Sequence, residues 1–176
     1  MRIYLPATLS MLTALNSSGE FRPVGGTAFA LTPALRESYL DGDDEELAEA
    51  AIREAARASL RLMAAEGDGP GDGEGEGEGT PLPARRVVIA ADVDEVKLRP
   101  DLDVAVVKTS GMVPLSAVAS LLVDGSDAED KVIRAMELVD AADLGDEDAE
   151  LAIGDVEDFD LGWYATQELP FLLELL

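Results

Sequence analysis

The sequence has 176 residues, about one domain's length, with 37 Asp and Glu against 13 Lys and Arg and a formal net charge of −24 at pH 7. It contains neither Cys nor His, which excludes disulfides, thiolate nucleophiles, thiolate metal centres and any catalytic or haem site that needs an imidazole. Apolar residues make up 47% of the chain and aromatic residues only 5%, so Ala, Leu and Val must fill most of the core.

The first third of the chain predicts two short strands and three helices. Thr8 and Thr32 are suited to cap the first two helices, and Pro33 suits the first helical position. Three acids, Asp44, Glu45 and Glu46, favour the start of the third helix through its dipole. The predicted elements are strand Arg2–Leu5, helix Leu9–Leu15, strand Thr27–Leu31, a helix from Thr32-Pro33 to about Leu40, and helix Asp44–Glu66.

The helix over Asp44–Glu66 is the most regular pattern in the sequence. Apolar residues recur at helical spacing and predict its buried face. Arg53, Arg57 and Arg61 lie four residues apart on another face, and Glu49 is placed to pair with Arg53. This arginine stripe is interpreted as neutralising the protein's own carboxylates, with an anion site as the alternative. The predicted core positions are Leu47, Ala50, Ala51, Ala55, Ala58 and Leu62.

A segment rich in Gly and acids follows this helix, at about residues 67–83. Its glycines have no side chains to bury and its acids repel one another, so it predicts a disordered loop. The glycine spacing does not give G-x-G-x-x-G, and no Gly-Lys dipeptide exists for a phosphate-binding loop. Nucleotide binding there is therefore not expected.

The second half of the chain predicts three further strands and two helices. The β-branched run Arg86–Asp92 is typical of a buried central strand. Residues 141–160 carry nine acids, and Pro170 separates the last predicted helix from an apolar tail, Phe171–Leu176. The other predicted elements are strand Val104–Thr109, a helical turn over Pro114–Ala119, strand Ser120–Val123, a helix from Ser126 or Asp127 to about Val139, and helix Val156–Leu169.

These elements predict a single α+β domain over residues 1–176, with a mixed sheet of about five short strands packed with four or more helices. A right-handed crossover is expected between the first two strands, since a helix lies between them. The order of the strands in the sheet cannot be deduced from the sequence.

The acidic composition indicates a solvated surface that keeps the chain soluble. The same charge repels phosphate backbones and anionic lipids, so neither nucleic acid nor membrane is an expected partner. A mimic of nucleic-acid phosphate is a less favoured alternative. The acids at residues 41–46 lack the glycine spacing of a calcium loop, so no metal site is predicted. No apolar leader or membrane span is recognised, and a cytoplasmic location is expected.

The most unusual local composition is Gly162–Glu168, which holds the only Trp and one of three Tyr. On the predicted helix Trp163 and Gln167 share one face, and Tyr164 and Glu168 share another. Such rings with polar tips suit interfaces and pockets. These four residues are the candidate ligand- or partner-binding residues, with anchoring of the last helix on the core as the alternative.

Five strings of the sequence together resemble a family of small acidic actinobacterial proteins classed as a domain of unknown function. The strings are MRIYLPAT, TPALRESY, AARASLRLMA, VVIAADV and WYATQELP, and the similarity covers nearly the full chain apart from the Gly-rich loop. The resemblance implies a bacterial cytoplasmic setting and one domain, and it transfers no catalytic residues.

The absence of imidazole and thiol, together with the aromatic C-terminal segment, favours a non-enzymatic protein-interaction or regulatory protein. The tail Phe171–Leu176 is too apolar to remain in water, so it is expected to dock on its own core or on another chain, for example in a homodimer. The alternative is a small-molecule-binding protein or enzyme, with a pocket lined by Trp163, Tyr164, Gln167 and Glu168. No cofactor is expected.

Overall fold

Continuous apolar runs, buried on both faces, build the central strands of an antiparallel sheet. The computed structural model describes residues 1–67 and 82–176. In this part of the chain seven strands follow the order β5-β6-β3-β1-β4-β8-β9, and each neighbouring pair is antiparallel. A separate ribbon pairs β2 with β7. The strands are β1 Arg2–Ala7, β2 Glu20–Phe21, β3 Thr27–Phe29, β4 Val87–Asp92, β5 Lys97–Leu98, β6 Val106–Lys108, β7 Val113–Pro114, β8 Val118–Val123 and β9 Gly162–Ala165.

The described residues form six α-helices, four of which pack on the two faces of the sheet. They are α1 Leu9–Ser18, α2 Pro33–Ser38, α3 Asp44–Gly67, α4 Glu129–Asp143, α5 Glu147–Glu157 and α6 Leu169–Glu174. The hydroxyls of Thr8 and Thr32 cap α1 and α2 as predicted, by accepting N–H groups of the first turn. The α+β class is confirmed. No helix among the described residues combines the length and the apolar character needed to cross a membrane.

The two faces of the sheet carry different helices. One face, built around Leu5, Ile89 and Leu121, packs against α1 and α6. The opposite face, which includes Val88, packs against α2 and the first half of α3. The second half of α3 extends beyond the sheet and forms a third apolar cluster with α4 and α5.

Helix α3 is close to the prediction in length and in its inner face. Leu47, Ala50, Ala51 and Ala55 are buried as expected, whereas Ala58 and Leu62 are only partly buried. The inner face shifts to Ser59, Leu60 and Met63 in the second half, because this half packs partly against α4 and α5 rather than on the sheet alone. The C-terminal half of α3 therefore contacts both the sheet and the α4–α5 pair.

Several sequence predictions are corrected. Strand β1 continues through Pro6, which pairs with Val88 of β4. The described pairing of β1 with β3 does not extend to this position. Proline is tolerated there because no strand acceptor among the described residues lies where its N–H would point. The expected parallel crossover is wrong, since β1 and β3 are antiparallel. The main sheet has seven strands in the described part rather than about five. The predicted disordered loop at about 67–83 lies mostly outside the described residues.

Candidate functional site

The predicted final helix over Val156–Leu169 is wrong. Helix α5 ends at Glu157, and Gly162–Ala165 form β9, the last strand of the sheet in the described chain. Gly162 has low helix propensity, and the following Trp-Tyr pair favours a strand. Because side chains alternate along a strand, Trp163 and Tyr164 point to opposite faces of the sheet, so the four candidate residues do not form one helical surface.

The four candidate residues have separate environments. Trp163 lies opposite Leu122 of β8 and is 65% exposed. Tyr164 is half-buried and packs against the cluster that contains α1 and α6. Gln167 is exposed on the turn after β9. The carboxylate of Glu168 accepts the N–H of Ala165 at 2.7 Å, so its role is to close that turn.

Strand β9 leaves little backbone free along its outer edge. Because the Ala165 N–H bonds to Glu168 instead of to β8, it points away from the sheet. Backbone groups two residues apart in a strand point the same way, so the N–H and C=O of Trp163 also face outward. The uncovered edge therefore offers chiefly this one residue's backbone, directly beside an exposed indole.

A groove of about 430 Å³ opens on the same sheet face as Trp163, between α3 and the segment that joins α5 to β9. We call it the α3 groove. Its floor is apolar, and its walls carry charged groups from both sides. The lining residues are Glu49, Ile52, Arg53 and Ala56 of α3, Arg86, Leu122 of β8, and Glu157, Phe159, Asp160 and Leu161.

One member of a buried ion pair, Arg86, lines the groove. Arg86 and Asp124 have relative exposures of 4% and 0%. Nε and Nη2 of Arg86 each donate to the Asp124 carboxylate at 2.8 Å, and the Arg86 backbone N–H donates to it at 2.8 Å. Nη2 also donates to the Phe159 carbonyl at 2.9 Å. This network joins β4 and β8 to the segment before β9 and so shapes the groove.

The carboxylates of the groove differ in their partners. Glu49 lies 3.9 Å from Arg53 within α3. Glu157 and Asp160 take part in none of the ion pairs found in residues 1–67 and 82–176. Since Arg86 is balanced by Asp124, the groove has an excess of negative charge at its outer wall.

The other two arginines of the stripe lie outside the groove. Arg57 pairs with Asp143 at 3.0 Å and with Glu150 at 2.8 Å, and Arg61 pairs with Asp143 at 2.7 Å. These hydrogen bonds lower the pKa of Asp143, through Arg61 first, and the pKa of Glu150, through Arg57. The interpretation of the stripe as a neutralising face is therefore confirmed for these two arginines.

Sequence reasoning did not find the groove or its buried ion pair. Arg86 and Asp124 are 38 positions apart, and they meet only because β4 begins beside the end of β8 in an antiparallel pair. A charged residue before one strand and another after a different strand do not by themselves indicate that the two form an ion pair. Within the described residues, no group of three or more carboxylates is arranged to hold a metal ion.

A family model matches residues 1–173, and its description is a family of unknown function, DUF6912. The chain belongs to this family. The match confirms the resemblance to an uncharacterised domain family that the sequence strings indicated. No protein of curated function and no solved structure matches the chain. The function of this DUF6912 protein must therefore be argued from its own surfaces.

Proposed function

We propose that this protein is a non-enzymatic, cytoplasmic interaction protein that binds a segment of another protein along β9 and the α3 groove. The observation that carries the proposal is Trp163, a large aromatic side chain that is 65% exposed on β9, an edge strand of the sheet in the described residues. Exposed Trp residues beside a concave surface are typical of interaction hot spots. An extended segment could add to β9 through the free backbone groups of Trp163 and place a side chain in the groove.

Photo-crosslinking tests this proposal directly. A photoreactive amino acid is placed at position 163, and at position 151 in a control, since Leu151 is 69% exposed on α5. In cells of the source organism, position 163 should give a discrete crosslinked partner that position 151 does not give. Identical products from both positions, or none from position 163, would refute the proposal.

A second copy of this chain is a separate candidate partner, supported by a different surface. Helix α6 docks on its own core through Leu169 and Leu172, and this leaves Phe171 and Leu175 66% and 83% exposed. These two side chains lie four positions apart and form one apolar patch. A homodimer through this patch would cover both residues.

Light scattering tests the homodimer. The wild-type chain should have the mass of a dimer, and Phe171→Ser with Leu175→Ser should give a monomer of unchanged secondary structure. Replacing exposed residues is preferable to truncation after Pro170, because truncation would also remove the buried Leu172. A wild-type monomer at high micromolar concentration would rule out this candidate.

A further inference from the structure

The charge balance of the α3 groove indicates which ligand it can hold. Its two arginines already have carboxylate neighbours, Asp124 for Arg86 and Glu49 for Arg53. Glu157 and Asp160 are the lining carboxylates left without a cation among the described residues. A positively charged group entering the groove would therefore meet two unneutralised carboxylates, whereas an anion would be repelled.

Arg86 adds an independent feature. Its Nε and Nη2 are engaged by Asp124 and Phe159, but its Nη1 donates no hydrogen bond in the described structure. Every fully buried side-chain nitrogen or oxygen of the described residues has a partner, so Nη1 is not fully enclosed, and Arg86 is one of the residues that line the groove. This side chain, only 4% exposed, thus keeps one donor that the described residues do not engage.

The rest of the lining accommodates an apolar stem. Ile52, Leu122 and Leu161 are partly buried side chains of the floor and walls, next to Phe159. The side chains of Lys and Arg combine such an apolar stem with a terminal cation. Neighbouring peptide carbonyls supply the acceptor that Nη1 lacks.

We propose that the α3 groove binds a Lys or Arg side chain of an extended partner segment. The cation lies at Glu157 and Asp160, the stem packs on the apolar floor, and a peptide carbonyl of the same segment accepts from Nη1 of Arg86. This inference rests on the proposed function and narrows it, since it assigns the partner's chemistry as a basic segment beside Trp163.

Titration of the full chain with short blocked peptides tests the proposal. The probes are acetyl-Gly-Lys-Gly-amide and acetyl-Gly-Arg-Gly-amide, with acetyl-Gly-norleucine-Gly-amide as the uncharged analogue and n-butylammonium as the cation without a carbonyl. Amide and indole NMR shifts are followed at near-physiological salt, which screens the general attraction of cations to the acidic surface. The basic peptides should give saturable shifts at Leu161 and at the Trp163 indole, roughly ten-fold tighter than either control probe.

Two double variants distinguish binding in the groove from a general effect of the protein's negative charge. Glu157→Gln with Asp160→Asn should weaken the basic peptides roughly ten-fold, whereas Glu137→Gln with Asp140→Asn, which removes two exposed acids of α4, should change affinity less than about two-fold. Equal effects of the two variants, shifts spread over the whole surface, or equal binding of the norleucine peptide would overturn the proposal. A specific crosslink from position 163 to a partner that binds without a basic residue would overturn this inference alone and leave the proposed function standing.

Discussion

Replacing Arg86 by Met tests the reasoning about the buried ion pair of Arg86 and Asp124. The substitution keeps most of the apolar stem but removes the guanidinium that donates twice to Asp124. Asp124 is fully buried, so its carboxylate keeps only the Arg86 backbone N–H as a donor from this network. Breaking one side of such a pair costs about 3–5 kcal/mol of unfolding free energy.

The double variant Arg86→Met with Asp124→Leu supplies the decisive comparison. It removes both charges, so no unpaired ion remains in the interior, although the Arg86 backbone N–H still loses its acceptor. We expect it to recover about half of the loss caused by Arg86→Met alone, because apolar replacements of a buried pair are close to neutral while one unsatisfied N–H still costs about 1–3 kcal/mol.

Urea unfolding followed by far-UV circular dichroism measures these free energies. Fluorescence is a poor probe, since Trp163 is largely exposed in the folded state. A loss of 3–5 kcal/mol is a large share of the roughly 5–15 kcal/mol by which a domain is stable. A loss below about 1 kcal/mol for Arg86→Met, or a double variant as unstable as the sum of the two single variants, would refute the account of the pair.

Four further predictions concern the free energy of unfolding. Ser59→Ala should cost about 1–3 kcal/mol in urea unfolding, because this buried hydroxyl donates to a β1 carbonyl at 2.7 Å and accepts a β4 amide at 3.0 Å; a neutral result would contradict that bridge. Leu172→Ala should cost about 2–5 kcal/mol and Leu175→Ala under about 0.5 kcal/mol, and equal losses would contradict the docking of α6. Asp143→Asn should lower the free energy of unfolding by about 0.5–1 kcal/mol at pH 7. Because the arginines of α3 lower the pKa of Asp143, this loss should disappear as the pH falls below about 4. A loss that does not change with pH would contradict the ion pairs of Asp143. Desolvation and a neighbouring acid raise the pKa of Glu54. Glu54→Gln should therefore give a small gain in unfolding free energy at pH 7, and this gain should shrink as the pH falls through the raised pKa. A loss of stability at pH 7 would contradict the raised pKa.

The parts of the fold that the sequence predicted well are those with local signals. Helix α3 has a regular apolar repeat and acids at its start, and it forms over Asp44–Gly67, one residue longer than predicted. The β-branched run before Asp92 forms β4 between β1 and β8. Helix α5 was not predicted although Ala149, Ala152, Ile153 and Val156 follow helical spacing and are buried. The nine acids of residues 141–160 masked this short apolar face in the sequence pattern.

The candidate site was predictable only in part. The unusual composition around Trp163 did lead to the exposed indole, but the helical spacing assumed for Trp163 and Gln167 was wrong because the chain there is an edge strand. The α3 groove depends on the strand order and on how α5 returns to β9. Those arrangements are set by long-range packing, and no local pattern records them.

The carboxylate of Glu168 has a consequence for self-association. By occupying the Ala165 N–H it leaves the outer side of a four-residue strand with little more than one residue's backbone to share. An incoming chain can form backbone hydrogen bonds with only about one residue there, so the rest of its affinity must come from side-chain contacts. At this edge, β9 therefore offers too little backbone to act as a template for fibril growth.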